Sequence, residues 1–125
     1  MSTLKKRNLL IKIILAILVL LIFYLNSIMS PVSIIRNRFL HDTPIGTDMN
    51  DVIKYVKRHK KWTQVYVSDE YGYVDDDRNE IGSKSVGACI GAYYVPFEMS
   101  VTVEWGFDDE SKLVDIYVWK SMDVW

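Results

Sequence analysis

The sequence from Glu98 to Phe107, EMSVTVEWGF, alternates between apolar side chains and polar or small ones. The apolar positions are Met99, Val101, Val103, Trp105 and Phe107. A period of two predicts a β-strand with one buried face. Asp108 to Ser111 predicts a hairpin turn, and Leu113 to Trp119, LVDIYVW, predicts the returning strand. This hairpin indicates an antiparallel sheet.

Two more strands are predicted upstream of the hairpin. Thr63 to Val67, TQVYV, alternates in the same way, and Val86 to Val95, VGACIGAYYV, is rich in small residues. Alternation places Gly87, Cys89 and Gly91 on one face, where another element can approach closely. Cys89 is the only cysteine, which excludes an intrachain disulfide and favours a buried structural thiol.

A helix is predicted after Ile45-Gly46. Thr47 or Asp48 can cap its start. The residues at its i, i+3, i+4 and i+7 positions are Met49, Val52, Ile53 and Val56, which form one apolar face. The fold class is therefore predicted as α+β, with one helix packed on an antiparallel sheet of about four strands in a domain of residues 45–125.

An apolar stretch, LLIKIILAILVLLIFYL from Leu9 to Leu25, precedes the domain and continues to Met29. Lys12 is its only charged residue. As a helix, residues 9–29 would be roughly 30 Å long, which matches a bilayer core. The composition predicts a transmembrane helix between a stub of residues 1–8 and a linker of residues 30–44.

The basic residues Lys5, Lys6 and Arg7 also fit the start of a cleaved secretory signal. The missing A-x-A cleavage pattern and the length of the apolar run favour an uncleaved signal-anchor. A lipoprotein signal is excluded because no cysteine follows the run. The positive-inside bias predicts a single-pass protein of the cell membrane, with a cytoplasmic N-terminus and the domain outside.

Charge is divided unevenly along the chain. Residues 1–38 hold six Lys/Arg and no Asp/Glu, whereas residues 39–125 hold nine Lys/Arg and sixteen Asp/Glu, a net charge of −7. An acidic domain argues against nucleic acid as a partner. The expected partners are membrane lipid, through the apolar helix, and a protein of unknown identity.

Two charged groups are candidate partner-binding sites. The basic group, on the solvent side of the predicted helix, is Lys54, Lys57, Arg58 and Lys61. This group is either a docking surface (for an acidic partner, an anionic wall polymer or lipid headgroups) or an ordinary solvated helix face. The acidic group is Asp75, Asp76 and Asp77, in a loop that is either simply exposed or recognises a basic partner.

The acidic loop only partly resembles a calcium-binding loop. Asp75, Asp77 and Asn79 match its start, but Glu80 stands where glycine is required and Val86 where the bidentate Glu is required. No metal and no cofactor are therefore predicted. Patterns typical of catalysis (GxSxG, HExxH, a P-loop, CxxC) are also missing, so the chain is predicted not to be an enzyme.

The helix start Gly46-Thr47, with Val52 completing a G-T-x-x-x-x-V pattern, and the four strands that follow resemble a known architecture. Residues 45–120 are similar to the small α+β modules of envelope-assembly lipoproteins and β-lactamase inhibitor proteins, although the lipoprotein cysteine is missing. The resemblance implies an extracytoplasmic, non-enzymatic binding module. The predicted function is a membrane-tethered binding module, for example an immunity or inhibitor protein; the alternative is an accessory structural subunit of a membrane or envelope complex.

Overall fold

The computed structural model describes residues 2–26, 28–94 and 98–122 of the 125-residue chain, and within the first range it describes the side chains from Thr3 to Ile22. The elements, in chain order, are α1 (Ser2–Asn26), α2 (Val32–Asp42), α3 (Met49–Arg58), β1 (Thr63–Ser68), β2 (Tyr73–Val74), β3 (Glu80–Ile81), β4 (Lys84–Tyr93), β5 (Met99–Phe107) and β6 (Leu113–Met122). The α+β class is confirmed.

Four antiparallel strands form the main sheet in the order β1-β4-β5-β6, and β2 and β3 form a separate small hairpin. The predicted turn between β5 and β6 is present. The Asp108 carboxylate accepts the backbone N–H groups of Glu110 and Lys112, both at 2.9 Å. Ser111 completes the turn with a φ of 64°. An aspartate that accepts nearby backbone N–H groups is a common way to close such turns.

One face of the sheet, which we call the inner face, is covered by α2 and α3. Val103 and Trp105 of β5 are fully buried there, together with Val52 and Val56 of α3. Asp48 caps α3 as predicted, since its side chain accepts the N–H of Asn50 at 3.2 Å. That hydrogen bond, followed by the Lys112 charge, holds the pKa of Asp48 below its usual value of 3.8.

The segment expected as a linker, residues 30–44, contains α2. Pro31 precedes the first turn, where a missing N–H costs nothing. Ile35 and Phe39, spaced one turn apart, are 2 % and 8 % exposed and join the core. Arg36 connects α2 to the edge strand β6. Its Nε donates a hydrogen bond to the Ile116 carbonyl at 2.9 Å, and its guanidinium group forms an ion pair with Asp115. Two helices therefore cover the sheet, where the sequence predicted one.

The membrane predictions are wrong for the part of the chain that the structure describes, in which no helix combines enough length with enough apolar character to cross a bilayer. All side chains from Thr3 to Ile22 are exposed, but four of them are the cations Lys5, Lys6, Arg7 and Lys12. A charged side chain is costly to place in a bilayer core, so each of these cations counts against a span that includes it. Three predictions are therefore wrong: the transmembrane span from Leu9, the signal-anchor and the single-pass membrane location. The predicted end of the span, Leu25, lies outside the described side chains.

A β-bulge in β4 changes which residues share a face. Cys89 lies opposite Thr102, but Gly91 lies opposite Val101, which is fully buried. One extra residue in the strand thus moves Gly91 to the inner face. A Cβ at Gly91 would lie 3.1 Å from Ile28 Cδ1. The prediction that Gly91 shares a face with Gly87 and Cys89 is wrong because alternation does not reveal a bulge.

Candidate binding groove on the outer sheet face

The other side of the sheet, the outer face, carries two glycines on which tyrosine rings rest. Gly87 of β4 pairs with Tyr66 of β1, and a Cβ at Gly87 would lie 2.1 Å from a Tyr66 ring carbon. A Cβ at Gly106 of β5 would lie 2.8 Å from the Tyr73 ring. Only glycine leaves room for rings this close to the sheet. The glycines therefore set where these two aromatic walls lie.

Glu104 lies between these walls, at the centre of the sheet, with Gly87 and Tyr117 as its cross-strand neighbours. The Tyr66 hydroxyl donates to Glu104 Oε1 at 2.7 Å. The Trp119 Nε1–H donates to Oε2 at 3.2 Å. Each carboxylate oxygen thus has one donor, which fixes the orientation of a half-buried anion without neutralising its charge.

The second wall is a pair of stacked tyrosines. Tyr73 and Tyr117 have ring centroids 5.7 Å apart and an interplanar angle of 11°. Tyr73 is 3 % exposed, whereas Tyr117 reaches the surface, where its hydroxyl donates to the Asp76 carboxylate. The β2–β3 hairpin is therefore joined to β6 through a side-chain hydrogen bond.

Together these side chains line a groove of about 490 Å³, which we call the Glu104 groove. Its lining residues are Tyr66, Tyr71, Gly72, Tyr73, Val74, Glu104, Tyr117 and Trp119. Tyr71 and Val74, at the rim, are 56 % and 57 % exposed. The groove is thus an open aromatic surface with one carboxylate at its floor.

Three tyrosine hydroxyls of the groove resist ionisation. Burial, followed by the hydrogen bond to Glu104, raises the pKa of Tyr66 above its usual range. Burial and the neighbouring Asp115 charge do the same to the pKa of Tyr73. Burial, followed by the hydrogen bond to Asp76, raises the pKa of Tyr117 to about 12. These three phenols therefore stay neutral at physiological pH and add no charge to the groove.

The three predicted acidic residues have different roles in the structure. The Asp75 carboxylate accepts the backbone N–H groups of Asp77 and Asn79, at 3.0 and 2.9 Å, and so closes the turn between β2 and β3. Asp76 binds the Tyr117 hydroxyl, as described above, and Asp77 is exposed. Across the described residues, no group of three or more His, Cys, Asp or Glu side chains is arranged to hold a metal ion.

The basic residues Lys54, Lys57, Arg58 and Lys61 are all exposed on and just after α3. This helix packs on the inner face, whereas the β2–β3 hairpin lies on the outer face. The sheet thus separates the two predicted charged groups. No ion pair involving the four basic residues is found among the described side chains.

Glu104, Tyr66, Tyr73, Tyr117 and Trp119 were not predicted as site residues. The sequence assigned Glu104 to the polar side of its strand without giving it a role. A usable signal was present, since a carboxylate in the middle of a strand is unusual and aromatic residues occupy alternate positions on β6. What the sequence did not contain was the strand order that brings β1 and β6 to either side of Glu104.

Comparison with protein families, with curated proteins and with solved structures found no match. The resemblance to envelope-assembly and inhibitor modules is therefore neither supported nor refuted. The geometry of the Glu104 groove is the basis on which a function is assigned.

Proposed function

We propose that this protein is a non-catalytic binding module that captures a basic protein partner by taking a lysine or arginine side chain into the Glu104 groove. The single observation that carries the proposal is the carboxylate of Glu104, held by Tyr66 and Trp119 at the floor of an aromatic groove. Aromatic faces attract cations through their ring electrons, and a carboxylate adds a direct ion pair.

The position of Glu104 supports binding rather than a purely structural role. A half-buried carboxylate loses hydration, which is unfavourable unless other groups compensate. Two neutral donors compensate in part and leave a net negative charge facing the groove. An incoming cation would complete the compensation, and its methylene groups would cover the Tyr71 and Trp119 rings.

The overall charge of the domain supports the same class of partner. Residues 39–125 have a net charge of −7, and the hairpin beside the groove contributes Asp75, Asp76 and Asp77. An acidic surface accelerates the approach of a basic protein and disfavours acidic ones. The immunity or inhibitor role, in which an acidic domain captures a basic toxin or enzyme, is the specific form of this proposal.

The test uses blocked pentapeptides with Arg, Lys or Gln at the central position and glycine elsewhere. Binding is followed by the indole N–H signal of Trp119 in ¹H–¹⁵N NMR spectra of the full chain. We expect the Arg and Lys peptides to shift this signal and the Gln peptide to leave it unchanged. Glu104→Gln should weaken the binding of the Arg and Lys peptides about 10-fold, or by about 1.4 kcal/mol, because the ion pair is lost.

Asp109→Asn is the matched control, because it removes the same unit of charge from an exposed turn outside the groove. It should change affinity by less than about twofold, as expected for a distant exposed charge. Equal weakening by both substitutions would mean that only net charge matters, and the proposal would be rejected. A structural subunit that docks elsewhere would keep its partner when Glu104 is neutralised.

A further inference from the structure

A second cavity, which we call the aromatic pocket, lies on the inner face and shares no residue with the Glu104 groove. Its volume is about 230 Å³. It opens where the ends of α2 and α3 meet β4, and its apolar walls include Ile35, Phe39, Trp62 and Ile90. For scale, an engineered apolar cavity of about 150 Å³ holds benzene. The pocket therefore has room for one substituted aromatic ring.

The rings around the pocket are fixed by mutual contacts. His59 stacks on Trp62, with centroids 3.9 Å apart and an interplanar angle of 6°. Phe39 makes edge contacts with Tyr55 and Trp62, with centroids at 6.3 and 5.8 Å. A wall of packed rings presents flat apolar surface that needs no reorganisation before a planar guest binds.

His59 provides a hydrogen-bond acceptor in this wall. Its Nδ1 lies 2.9 Å from the backbone carbonyl oxygen of Tyr55. A carbonyl only accepts hydrogen bonds, so Nδ1 carries the hydrogen in that contact. In the neutral ring, Nε2 then has the lone pair and acts as an acceptor.

Asp42 provides a second acceptor at the rim. Its Oδ2 accepts the Tyr55 hydroxyl at 2.8 Å, which holds the carboxylate beside the pocket, and its side chain is 49 % exposed. A carboxylate has lone pairs beyond the one that Tyr55 uses. Arg38 also lines the pocket and adds a positive charge, so the rim is polar on several sides.

From the ring walls, the volume and these two acceptors, we infer that the aromatic pocket binds a small aromatic molecule that carries an O–H or N–H donor, of the phenol class. The flat ring would lie against Trp62 and Ile90. Its O–H or N–H group would donate a hydrogen bond to His59 Nε2 or to Asp42. A plain hydrocarbon ring has no such donor and could not form this bond. This site is independent of the groove that is proposed to bind the protein partner.

The test compares 4-fluorophenol with fluorobenzene, two probes of nearly equal size that differ in one hydroxyl group. Binding to the full chain is measured by ¹⁹F NMR titration. We expect 4-fluorophenol to bind at least about 5-fold more tightly, which corresponds to about 1 kcal/mol for one hydrogen bond. The double variant His59→Phe, Asp42→Ala keeps the ring stack on Trp62 but removes both acceptors, so it should reduce this preference to less than about twofold without weakening the binding of fluorobenzene.

The location is tested separately by filling the pocket. Ile90→Trp should reduce the affinity for both probes at least 10-fold; if this variant does not fold, Ile28→Trp at the edge of the pocket serves the same purpose. Tyr71→Ala in the Glu104 groove should leave both affinities unchanged. Equal affinity of the two probes, binding that survives the pocket-filling variants, or binding that is lost with Tyr71→Ala would each overturn the inference.

Discussion

Replacing Gly87 with alanine tests how the sheet positions Tyr66 over Glu104. The added Cβ would lie 2.1, 2.7 and 2.9 Å from three atoms of the Tyr66 ring. No real contact is that short, so the ring must move. Moving it breaks the 2.7 Å hydrogen bond to Glu104.

The magnitude follows from two opposing effects. A hydrogen bond to a charged acceptor contributes about 1.5–3 kcal/mol, and the lower value applies because both side chains are only half-buried. Gly→Ala at a position with an ordinary backbone conformation gains about 0.4–1 kcal/mol through the unfolded state. Gly87→Ala should therefore lower the free energy of unfolding by about 0.5–1 kcal/mol.

The assay is urea unfolding of the wild type, Gly87→Ala, Tyr66→Phe and the double variant. If alanine acts through Tyr66, the two substitutions remove the same hydrogen bond, and their effects should fall short of additivity by about 1.5 kcal/mol. Independent sites add to within about 0.3–0.5 kcal/mol. Additive effects, or stabilisation by Gly87→Ala alone, would refute the role assigned to the glycine.

Three further predictions concern other parts of the fold. Ile35→Ala should destabilise the protein by about 2–4 kcal/mol in urea unfolding because α2 belongs to the core, whereas exposed Asn37→Ala should change stability by less than about 0.5 kcal/mol; equal effects would contradict the packing of α2. The pKa of Asp48 is lowered in the folded protein, so its charge contributes to folding stability above pH 3.8, and this contribution is lost as the pH falls. Asp48→Asn keeps the helix cap but cannot ionise. The melting temperature of this variant should therefore fall less than that of the wild type between pH 5 and pH 3. The pKa of Tyr117 is raised to about 12, so stability should decrease as the pH rises from about 10, where the unfolded phenol ionises; in an absorbance titration, Asp76→Asn should make one phenol ionise earlier, and an unchanged curve would contradict the Tyr117–Asp76 contact.

Much of the fold follows from local patterns in the sequence. The alternation in 99–107 predicted β5, because successive side chains of a strand point to opposite faces. The turn after it and the apolar run 113–119 predicted β6 as the returning strand. The spacing of Met49, Val52 and Val56 predicted α3 and its buried side. These predictions succeeded because they depend only on the geometry of one element. The acid-rich turn before β6 was predictable for the same reason.

Two features of the fold were decided only by tertiary contacts, and one prediction from hydropathy was wrong. Residues 30–44 show few local helix signals, and α2 forms there because Ile35 and Phe39 find buried partners on the sheet. The membrane span predicted from hydropathy is not supported by any helix of the described residues. The bulge at Gly91 depends on how β4 pairs with β5, which alternation within one strand does not encode.

The Glu104 groove shows most clearly which features the sequence determined and which the tertiary structure decided. The sequence by itself determined that Glu104 lies on the polar side of a strand and that the domain is acidic. Only the tertiary structure brought Tyr66 from β1 and Trp119 from β6 to the two oxygens of that carboxylate, across 38 and 15 residues of chain. The physical reason is that strand order and register are set by the burial of the opposite, inner face. The outer side chains meet as a consequence of that packing.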